Sequence, residues 1–468
     1  MTYLDELKKT TNKTKTENNA ETNISTLNPV LDFFSQAGAM RDRIEDAVKL
    51  FRKAYADEPL LALRALFYMR DIRGGQGERD LFRACLKEVP EDVLMKNIGQ
   101  IGEFGRYDDL FSLDLTAIVP FIGVKLADDK AKMDEGAGVS LLAKWMPSEN
   151  TSSSKTKSLA KKLAKALMMK PAEYRKTLSK LRKYIKLLEQ KMSANQWGEI
   201  DYEKTPSQAM RKHTKAFKRH DEERFAGYLE AVEKGEKKIN TSTLFTYEVF
   251  DLIREDEAAA NAMWKNLPDY TKDTNALVIA DVSGSMSGRP MSISVSLALY
   301  FAEHNKGPFS GYFMTFSAKP QLVKVLGKNL AERLQNIENA DWDMNTDIEA
   351  AFQAILDAAK KNDATADEMP KILYIISDME FDEATRGTQT NFERAQEMFA
   401  EAGYTLPHVV FWNVDSRQNQ TPATMYDQRV TMISGSSQST FRYAVEGKTP
   451  LESMNDILNS ERYAVITL

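Results

Sequence analysis

Apolar positions follow two different periods along the chain, and the change between them falls near residue 270. Between residues 31 and 89 the apolar residues recur at spacings of three and four, as at Ile44, Val48 and Phe51, which predicts amphipathic helices. After residue 270, short continuous apolar runs alternate with helical stretches, which predicts βαβ crossovers and a doubly wound sheet. The pattern therefore predicts an α + α/β chain, helical at first and Rossmann-like at its end.

Six apolar runs of the second part are predicted strands, and the run at residues 321–326 is expected to be an antiparallel edge strand. The other five lie at residues 277–280, 312–317, 371–377, 408–414 and 430–434. In the helical part, successive helix pairs are spaced by roughly forty residues, which favours an α-solenoid of the HEAT class.

The chain is expected to have an arm and two domains, because 468 residues exceed what one hydrophobic core usually supports. Residues 1–27 are polar with little apolar periodicity, which predicts a flexible or clamped N-terminal arm. Residues 28–270 are predicted to form the helical domain and residues 271–468 the α/β domain. A short polar connection after Pro268 marks the boundary between them.

The stretch ALVIADVSGSMSG at residues 276–288 carries the most specific chemistry. Asp281, Ser283 and Ser285 follow a predicted buried strand, at the edge where open α/β sheets bind ligands. Short oxygen-bearing side chains suit a small hard cation such as Mg²⁺. Because two of the three are neutral hydroxyls, the ion's charge would be only partly cancelled, and it would still attract an anionic oxygen from outside. The alternative is that these residues are ordinary helix N-caps and turn formers.

The sequence Asp281-Val-Ser283-Gly-Ser285 resembles the DxSxS signature of von Willebrand factor A (vWA) domains, whose metal-ion-dependent adhesion site (MIDAS) holds Mg²⁺. In that superfamily a Thr from a second loop and an Asp from a third loop complete the site. Thr346 precedes a predicted helix and Asp378 follows a predicted strand, in the matching order. The resemblance implies a vWA fold with a metal site formed by all five residues, and Mn²⁺ or Ca²⁺ as alternatives to Mg²⁺.

Composition narrows the class of protein. With 42% hydrophobic and 28% charged residues, the chain is typical of soluble globular proteins. The sequence has neither an apolar run of about 18 residues nor the apolar stretch of a secretory signal, so a cytoplasmic protein without membrane contact is expected. The single cysteine, Cys85, is expected to be a buried filler. Four scattered histidines disfavour a zinc site and His-based nucleophilic catalysis.

Positive charge is concentrated between residues 151 and 220, which hold 19 Lys and Arg against 5 Asp and Glu in a chain of net charge −5. Such a basic region, with tyrosines and Trp197 nearby, suits a surface that follows a nucleic-acid backbone and stacks bases. Two alternatives stay open: a solvated helix face, or a surface that docks onto the acidic remainder of the chain, including residues 363–368. The candidate nucleic-acid contacts are Arg175, Arg182, Lys183, Lys186, Arg211, Lys212, Lys215, Lys218 and Arg219.

Four further stretches, with the α/β half, resemble a family of bacterial, phage and plant proteins that have a helical N-terminal half and a C-terminal vWA domain. They are GRYDD at residues 105–109, KWMP at 144–147, YRK at 174–176 and the segment 192–225. That family is similar in architecture to TROVE proteins such as the Ro autoantigen, in which a ring of helical repeats closed by a vWA domain binds small structured and misfolded RNA. Because this second likeness concerns architecture, it transfers function only weakly.

These observations favour a non-enzymatic binding protein. The first hypothesis is that the Mg²⁺ site captures an acidic group of a protein partner. The alternative is a TROVE-like protein that binds structured RNA through the basic helical domain, and one molecule can do both. An enzyme is disfavoured because the carboxylates near the metal are already used as ligands, which leaves no general base beside it.

Overall fold

Helices build the N-terminal half of the protein in the computed structural model, which describes residues 2–271, 275–316, 319–338, 346–383 and 389–468, with Glu6 as backbone only. Capping chemistry sets where they begin, as at the second helix, where the Asn28 side chain accepts the N–H of Leu31 (2.8 Å) and Pro29 stands in the first turn. The helices of this half are α1 (Tyr3–Thr11), α2 (Pro29–Gln36), α3 (Ile44–Asp57), α4 (Pro59–Arg70), α5 (Asp80–Leu86), α6 (Glu91–Phe104), α7 (Leu115–Asp134), α8 (Leu142–Trp145), α9 (Ser154–Ala166), α10 (Pro171–Tyr184), α11 (Leu188–Ser193), α12 (Ser207–His220), α13 (Glu222–Glu233), α14 (Thr246–Ile253) and α15 (Glu257–Lys265).

The helical character predicted for this half is confirmed, and the HEAT-like repeat stays a prediction. An antiparallel hairpin of two short strands, β1 (Lys13–Lys15) and β2 (Glu21–Asn23), stands between α1 and α2. Cys85 is fully buried in α5, and burial raises the pKa of its thiol to about 12. Among the described residues, no helix is both long enough and apolar enough to span a membrane.

A six-stranded mixed sheet forms the centre of the C-terminal half. Its strands are β3 (Ala276–Ala280), β4 (Tyr312–Thr315), β5 (Leu322–Lys324), β6 (Ile372–Ser377), β7 (His408–Asn413) and β8 (Val430–Ser434), in the order β5-β4-β3-β6-β7-β8. Every neighbouring pair is parallel except β4 and β5, which are antiparallel. The sheet therefore confirms the prediction of an α/β half with one antiparallel edge strand.

Side chains that alternate along β7 pack on different partners above and below this sheet. Phe411 contacts Phe392 of the helix Asn391–Glu401, with ring centroids 5.9 Å apart. The next residue, Trp412, packs on Phe441 (4.8 Å), whose ring also contacts Phe301 of the helix Arg289–His304 (5.0 Å). The sheet is thus covered on both faces. The helices of this half are α16 (Arg289–His304), α17 (Leu330–Glu338), α18 (Ile348–Lys361), α19 (Asn391–Glu401) and α20 (Pro450–Leu458).

The two halves share one continuous hydrophobic core and several buried polar contacts. The Gln76 side chain donates to the carbonyl of Ser434 (3.1 Å), at the end of β8, and Gln438 donates to the carbonyl of Leu244 (2.8 Å). Gly38 approaches Gln76 so closely that a Cβ atom there would lie 2.5 Å from its side chain. The halves therefore form one packed unit, and α2 lies directly against β8.

The arm predicted for residues 1–27 is clamped onto the C-terminal half along most of its length, since Asp5 accepts the Tyr426 hydroxyl (2.9 Å) and Lys9 pairs with Asp427 (2.9 Å) before the hairpin begins. The Thr22 hydroxyl donates to the carbonyl oxygen of Thr421 (2.9 Å), and the N–H of Asn23 donates to the same oxygen (3.0 Å). Thr16 and Ala20 are buried as well. Because the arm is held by hydrogen bonds rather than by an apolar stripe, its sequence has no hydrophobic period that would predict this docking.

The last residues of the chain pack on the helical half. Arg462 forms an ion pair with the buried Asp71, and the Tyr463 hydroxyl donates to the same carboxylate (3.0 Å). The Tyr463 ring stacks on Phe104, with centroids 5.6 Å apart. The segment therefore ties the end of the α/β half to α4 and α6.

We expect Tyr463→Ala to lower the free energy of unfolding by about 3–5 kcal/mol, because it removes a buried aromatic ring and a bond to a buried carboxylate. Urea denaturation followed by circular dichroism measures this change. Val465→Ala is the matched control from the same segment, since Val465 is 52% exposed. If Tyr463→Ala lowers the free energy of unfolding as little as Val465→Ala does, this segment contributes little to the stability of the fold.

Candidate metal centre and basic cavity

The carboxyl ends of β3 and β6 bring Asp281 and Asp378 to one edge of the sheet. The two strands pair in parallel with Ala280 opposite Ile376, so the residues that follow them are neighbours. The N–H of Asp281 donates to the carbonyl of Ile376 (2.9 Å), and the Ser377 hydroxyl donates to Asp281 Oδ2 (2.6 Å). Both carboxylates are buried.

Ser283 and Ser285 continue the loop that follows β3. Asp281 Oδ1 accepts the N–H of Ser283 (2.9 Å), and the two serine hydroxyls lie 3.0 Å apart. Ser283 is buried, whereas Ser285 is exposed. The side-chain oxygens of this loop thus form a row that begins at the buried Asp281 carboxylate and ends at the exposed Ser285 hydroxyl.

The surroundings of Asp281 and Asp378 disfavour the ionised form of both side chains. Burial raises the pKa of both Asp281 and Asp378, and the charge of Asp378 raises that of Asp281 further. The N–H of Glu380 and the hydroxyl of Ser285 act in the opposite direction on the pKa of Asp378. Among the described residues none donates a hydrogen bond to the buried Asp378 Oδ2, and Arg417 approaches it only to 3.8 Å. A buried carboxylate oxygen without a donor fits a cation ligand.

Thr346 lies at the same edge in a network of its own. Its hydroxyl donates to Asp382 Oδ1 (2.8 Å) and accepts from Asn18 Nδ2 (3.0 Å), while its N–H donates to Asp382 Oδ2 (2.9 Å). The Asn18 amide also donates to the carbonyl of Glu380 (2.7 Å), two residues after Asp378. A hydroxyl oxygen has two lone pairs, so one remains for a cation.

Sequence reasoning missed four residues that surround the five predicted ones. Glu380 and Asp382 follow Asp378 at spacings of two, which is a local signal of a carboxylate-rich loop. Asn18 and Arg417 come from distant segments and had no such signal. Burial raises the pKa of Glu380 to about 7, and its Oε1 atom has no hydrogen-bond donor among the described residues.

The site depends on hydroxyl oxygens as much as on carboxylates. Within the described part of the chain, no group of three or more His, Cys, Asp and Glu side chains is arranged to hold a metal ion. The predicted site has two carboxylates and three hydroxyls, which are hard neutral or anionic oxygens. The donor set therefore fits Mg²⁺ better than it fits zinc.

A cavity of about 2040 Å³ is lined by the helical half and by Arg289, the first residue of α16. Thirteen Lys and Arg residues line it against seven Asp and Glu. Five of the nine predicted nucleic-acid contacts are among its lining residues: Arg182, Lys183, Lys186, Arg211 and Lys212. The other four lie outside it: Arg175, Lys215, Lys218 and Arg219.

The five lining cations differ in how many of their N–H groups already form hydrogen bonds or ion pairs within the protein. Arg182 donates to the carbonyls of Ala143 (2.8 Å) and Met146 (2.7 Å), and Arg211 pairs with Glu248 (3.1 Å). The three lysines are exposed and have no ion pair within the described residues; they are Lys183, Lys186 and Lys212. Outside the cavity, carboxylates pair with Arg175 (2.6 Å), Lys215 (3.1 Å) and Lys218 (3.2 Å). Among the five lining cations, the three lysines therefore have the most donors available for an anion.

The chain belongs to the family of the domain of unknown function DUF2828, whose model matches residues 16–90 and 115–279. Residues 275–463 match the model of a second domain of unknown function, DUF7788. "Uncharacterized protein L728" of Acanthamoeba polyphaga mimivirus is 29% identical over an alignment length of 458, and the match covers 87% of this chain and 80% of that protein. The crystal structure of the Deinococcus radiodurans RO (RSR) protein aligns over 92% of each chain at 12% identity, with a TM-score of 0.37 that is too low to establish a common fold.

We expect Asp378→Asn to stabilise the protein in EDTA, because it removes one of two buried carboxylates that repel each other. For a chain of 468 residues that unfolds as one unit, a gain of roughly 1 kcal/mol corresponds to a melting temperature about 1 °C higher. Adding Mg²⁺ should then raise the melting temperature of the wild type but not that of the variant. Asp367→Asn, at a side chain that is 94% exposed, is the control and should leave both behaviours unchanged. Lower stability of Asp378→Asn in EDTA would contradict the argument.

Proposed function

We propose that this protein is a cytoplasmic, non-enzymatic binding protein whose α/β half is a vWA domain with a MIDAS-type Mg²⁺ site. The single observation that carries the proposal is the buried Asp378 Oδ2 beside Asp281, which has no hydrogen-bond donor among the described residues. Two buried carboxylates that have only Arg417, at 3.8 Å, as a cationic neighbour are costly unless a further cation compensates them. Ser283, Ser285 and Thr346 would supply further oxygens.

A bound divalent cation would supply concentrated positive charge at the sheet edge. Asp281 and Asp378 would hold it from the buried side, and the exposed Ser285 lies where the loop meets solvent. An acidic side chain of a protein partner would complete the ion's coordination from that direction. Mn²⁺ and Ca²⁺ are the alternative ions, since both accept oxygen ligands.

We expect the wild type to bind Mg²⁺ in isothermal titration calorimetry and Asp281→Ala to lose that binding, because the substitution removes the central carboxylate. The loaded protein is then tested against peptides that carry one Asp or Glu, with the matching Asn or Gln peptides as controls. Only acidic peptides should bind, and EDTA should release them. Equal capture by wild type and Asp281→Ala would exclude the metal site as the binding surface.

A second candidate function is the binding of structured RNA in the basic cavity. The observation that favours it is the excess of cations on the cavity wall, where Lys183, Lys186 and Lys212 are exposed and form no ion pair with other described residues. Phosphate groups of a folded RNA would neutralise such a wall. Trp145, which stacks under Arg106 at 4.3 Å, also lines it and offers an aromatic surface for a base.

We expect a triple charge reversal of Lys183, Lys186 and Lys212 to Glu to weaken the binding of a small structured RNA. It should also reduce the slope of log affinity against log salt by about three, since three phosphate contacts are lost. The matched control reverses Lys157, Lys161 and Lys162, exposed residues of α9 in the same basic region that do not line the cavity. Filter binding at several salt concentrations measures both. Equal loss in the two triple variants would assign the effect to net charge alone.

A further inference from the structure

The tip of the β1–β2 hairpin, residues 16–19, is hydrogen-bonded to the loop that follows β6. This loop begins with Asp378, one of the two buried carboxylates at the candidate metal centre. The contacts are those of the Thr16 hydroxyl with the Phe381 carbonyl (2.8 Å), the Glu17 N–H with the Glu380 carboxylate (2.8 Å), and the Glu383 N–H with the Asn18 carbonyl (3.1 Å). Three consecutive arm residues thus hold residues 380–383.

The loop needs such support because its backbone is strained. Met379, directly after Asp378, has a φ of +67°, in the left-handed region that residues with a side chain rarely adopt. Strained backbone of this kind persists only where the surrounding structure holds it. The Ser377 hydroxyl accepts the Met379 N–H (3.0 Å), and Gln420 donates to the Met379 carbonyl (3.2 Å). The arm tip supplies the contacts on the other side of the loop.

Asn18 additionally joins two of the loops that carry candidate ligands. One N–H of its side-chain amide points to the Thr346 hydroxyl and the other to the Glu380 carbonyl. With Asp382 accepting the hydroxyl proton of Thr346, the Asn18 contact leaves one lone pair of that oxygen for a cation. Asn18 is therefore a positioning residue that acts on the site through Thr346 and the Asp378 loop.

We infer that the hairpin is a metal-linked latch, in which docking of the arm and binding of a divalent cation strengthen each other. The inference rests on the proposed metal site and adds a regulatory element to it. Coupling between two binding events is reciprocal, so whatever factor the docked arm adds to cation affinity, the cation adds to arm docking. An arm that detaches would leave the Asp378 loop unsupported and the site weak.

The test titrates Mg²⁺ into the full chain by calorimetry, comparing wild type, Asn18→Ala and Thr22→Ala. Thr22 also holds the arm, through the Thr421 carbonyl (2.9 Å), but contacts no candidate ligand. We expect Asn18→Ala to weaken Mg²⁺ binding by about ten-fold, as outer-shell partners of metal ligands commonly do. Thr22→Ala should weaken it by a clearly smaller factor.

The second readout is the effect of Mg²⁺ on the hydrogen-exchange rates of residues 13–26. If Asn18 only stabilised the fold, Mg²⁺ would not change these rates. The N–H groups of Glu17 and Asn23 donate to the C-terminal half and report on docking directly. Mg²⁺ should slow their exchange in the wild type and leave it unchanged in Asp281→Ala. This readout decides the question even if Asn18→Ala fails to fold.

Two outcomes would overturn the latch in different ways. In the first outcome, the wild type binds Mg²⁺, Mg²⁺ does not change hydrogen exchange in the arm, and Asn18→Ala binds Mg²⁺ as tightly as the wild type. The latch is then wrong, whereas the proposed metal site is supported. If the wild type binds no Mg²⁺ at all, the proposed metal site and the latch are both wrong.

Discussion

The parallel pairing of β3 with β6 forces two carboxylates to be buried together, and much of the surrounding structure compensates for that. Asp281 and Asp378 follow these adjacent strands and cannot separate without breaking the sheet register. Hydroxyl and main-chain donors from Ser377, Ser283 and Glu380 offset part of the repulsion. They leave Asp378 Oδ2 without a hydrogen-bond donor in the part of the chain that the structure describes, with the Arg417 guanidinium 3.8 Å away. The same constraint therefore costs stability and creates an affinity for positive charge.

The candidate metal centre and the basic cavity are close along the chain and joined by one core. The loop that carries Asp281, Ser283 and Ser285 ends at Gly288, and the next residue, Arg289, already lines the cavity. Arg41 lines the same cavity and donates to the carbonyl of Val414, directly after β7. Arg41 and Arg289 therefore both belong to the cavity wall and lie next to loops at the sheet edge. The two proposed activities thus belong to neighbouring surfaces of one packed unit.

Local patterns were enough to predict the strands and to place the first and third candidate ligand loops at the carboxyl ends of β3 and β6, because both depend on residues near each other in sequence. β8 and the predicted strand at residues 430–434 coincide, and Asp281, Ser283 and Asp378 meet where the strand pattern places them. The arm was beyond such reasoning, since Asn18 acts through hydrogen bonds with residues more than 300 positions away. Charge composition likewise located the basic region, but only the fold separates the cations of the cavity from those already paired with carboxylates.

The docking of the arm also sets an order for folding during synthesis. Glu17 and its partner Glu380 are separated by 363 positions, so the arm leaves the ribosome long before its binding surface exists. At about 5–20 residues per second, that delay is on the order of tens of seconds. A hydrophobic segment exposed for so long would invite aggregation, whereas Thr, Asn and Lys side chains remain well solvated. The polar composition of the arm is thus suited to a segment that is made well before the surface onto which it docks.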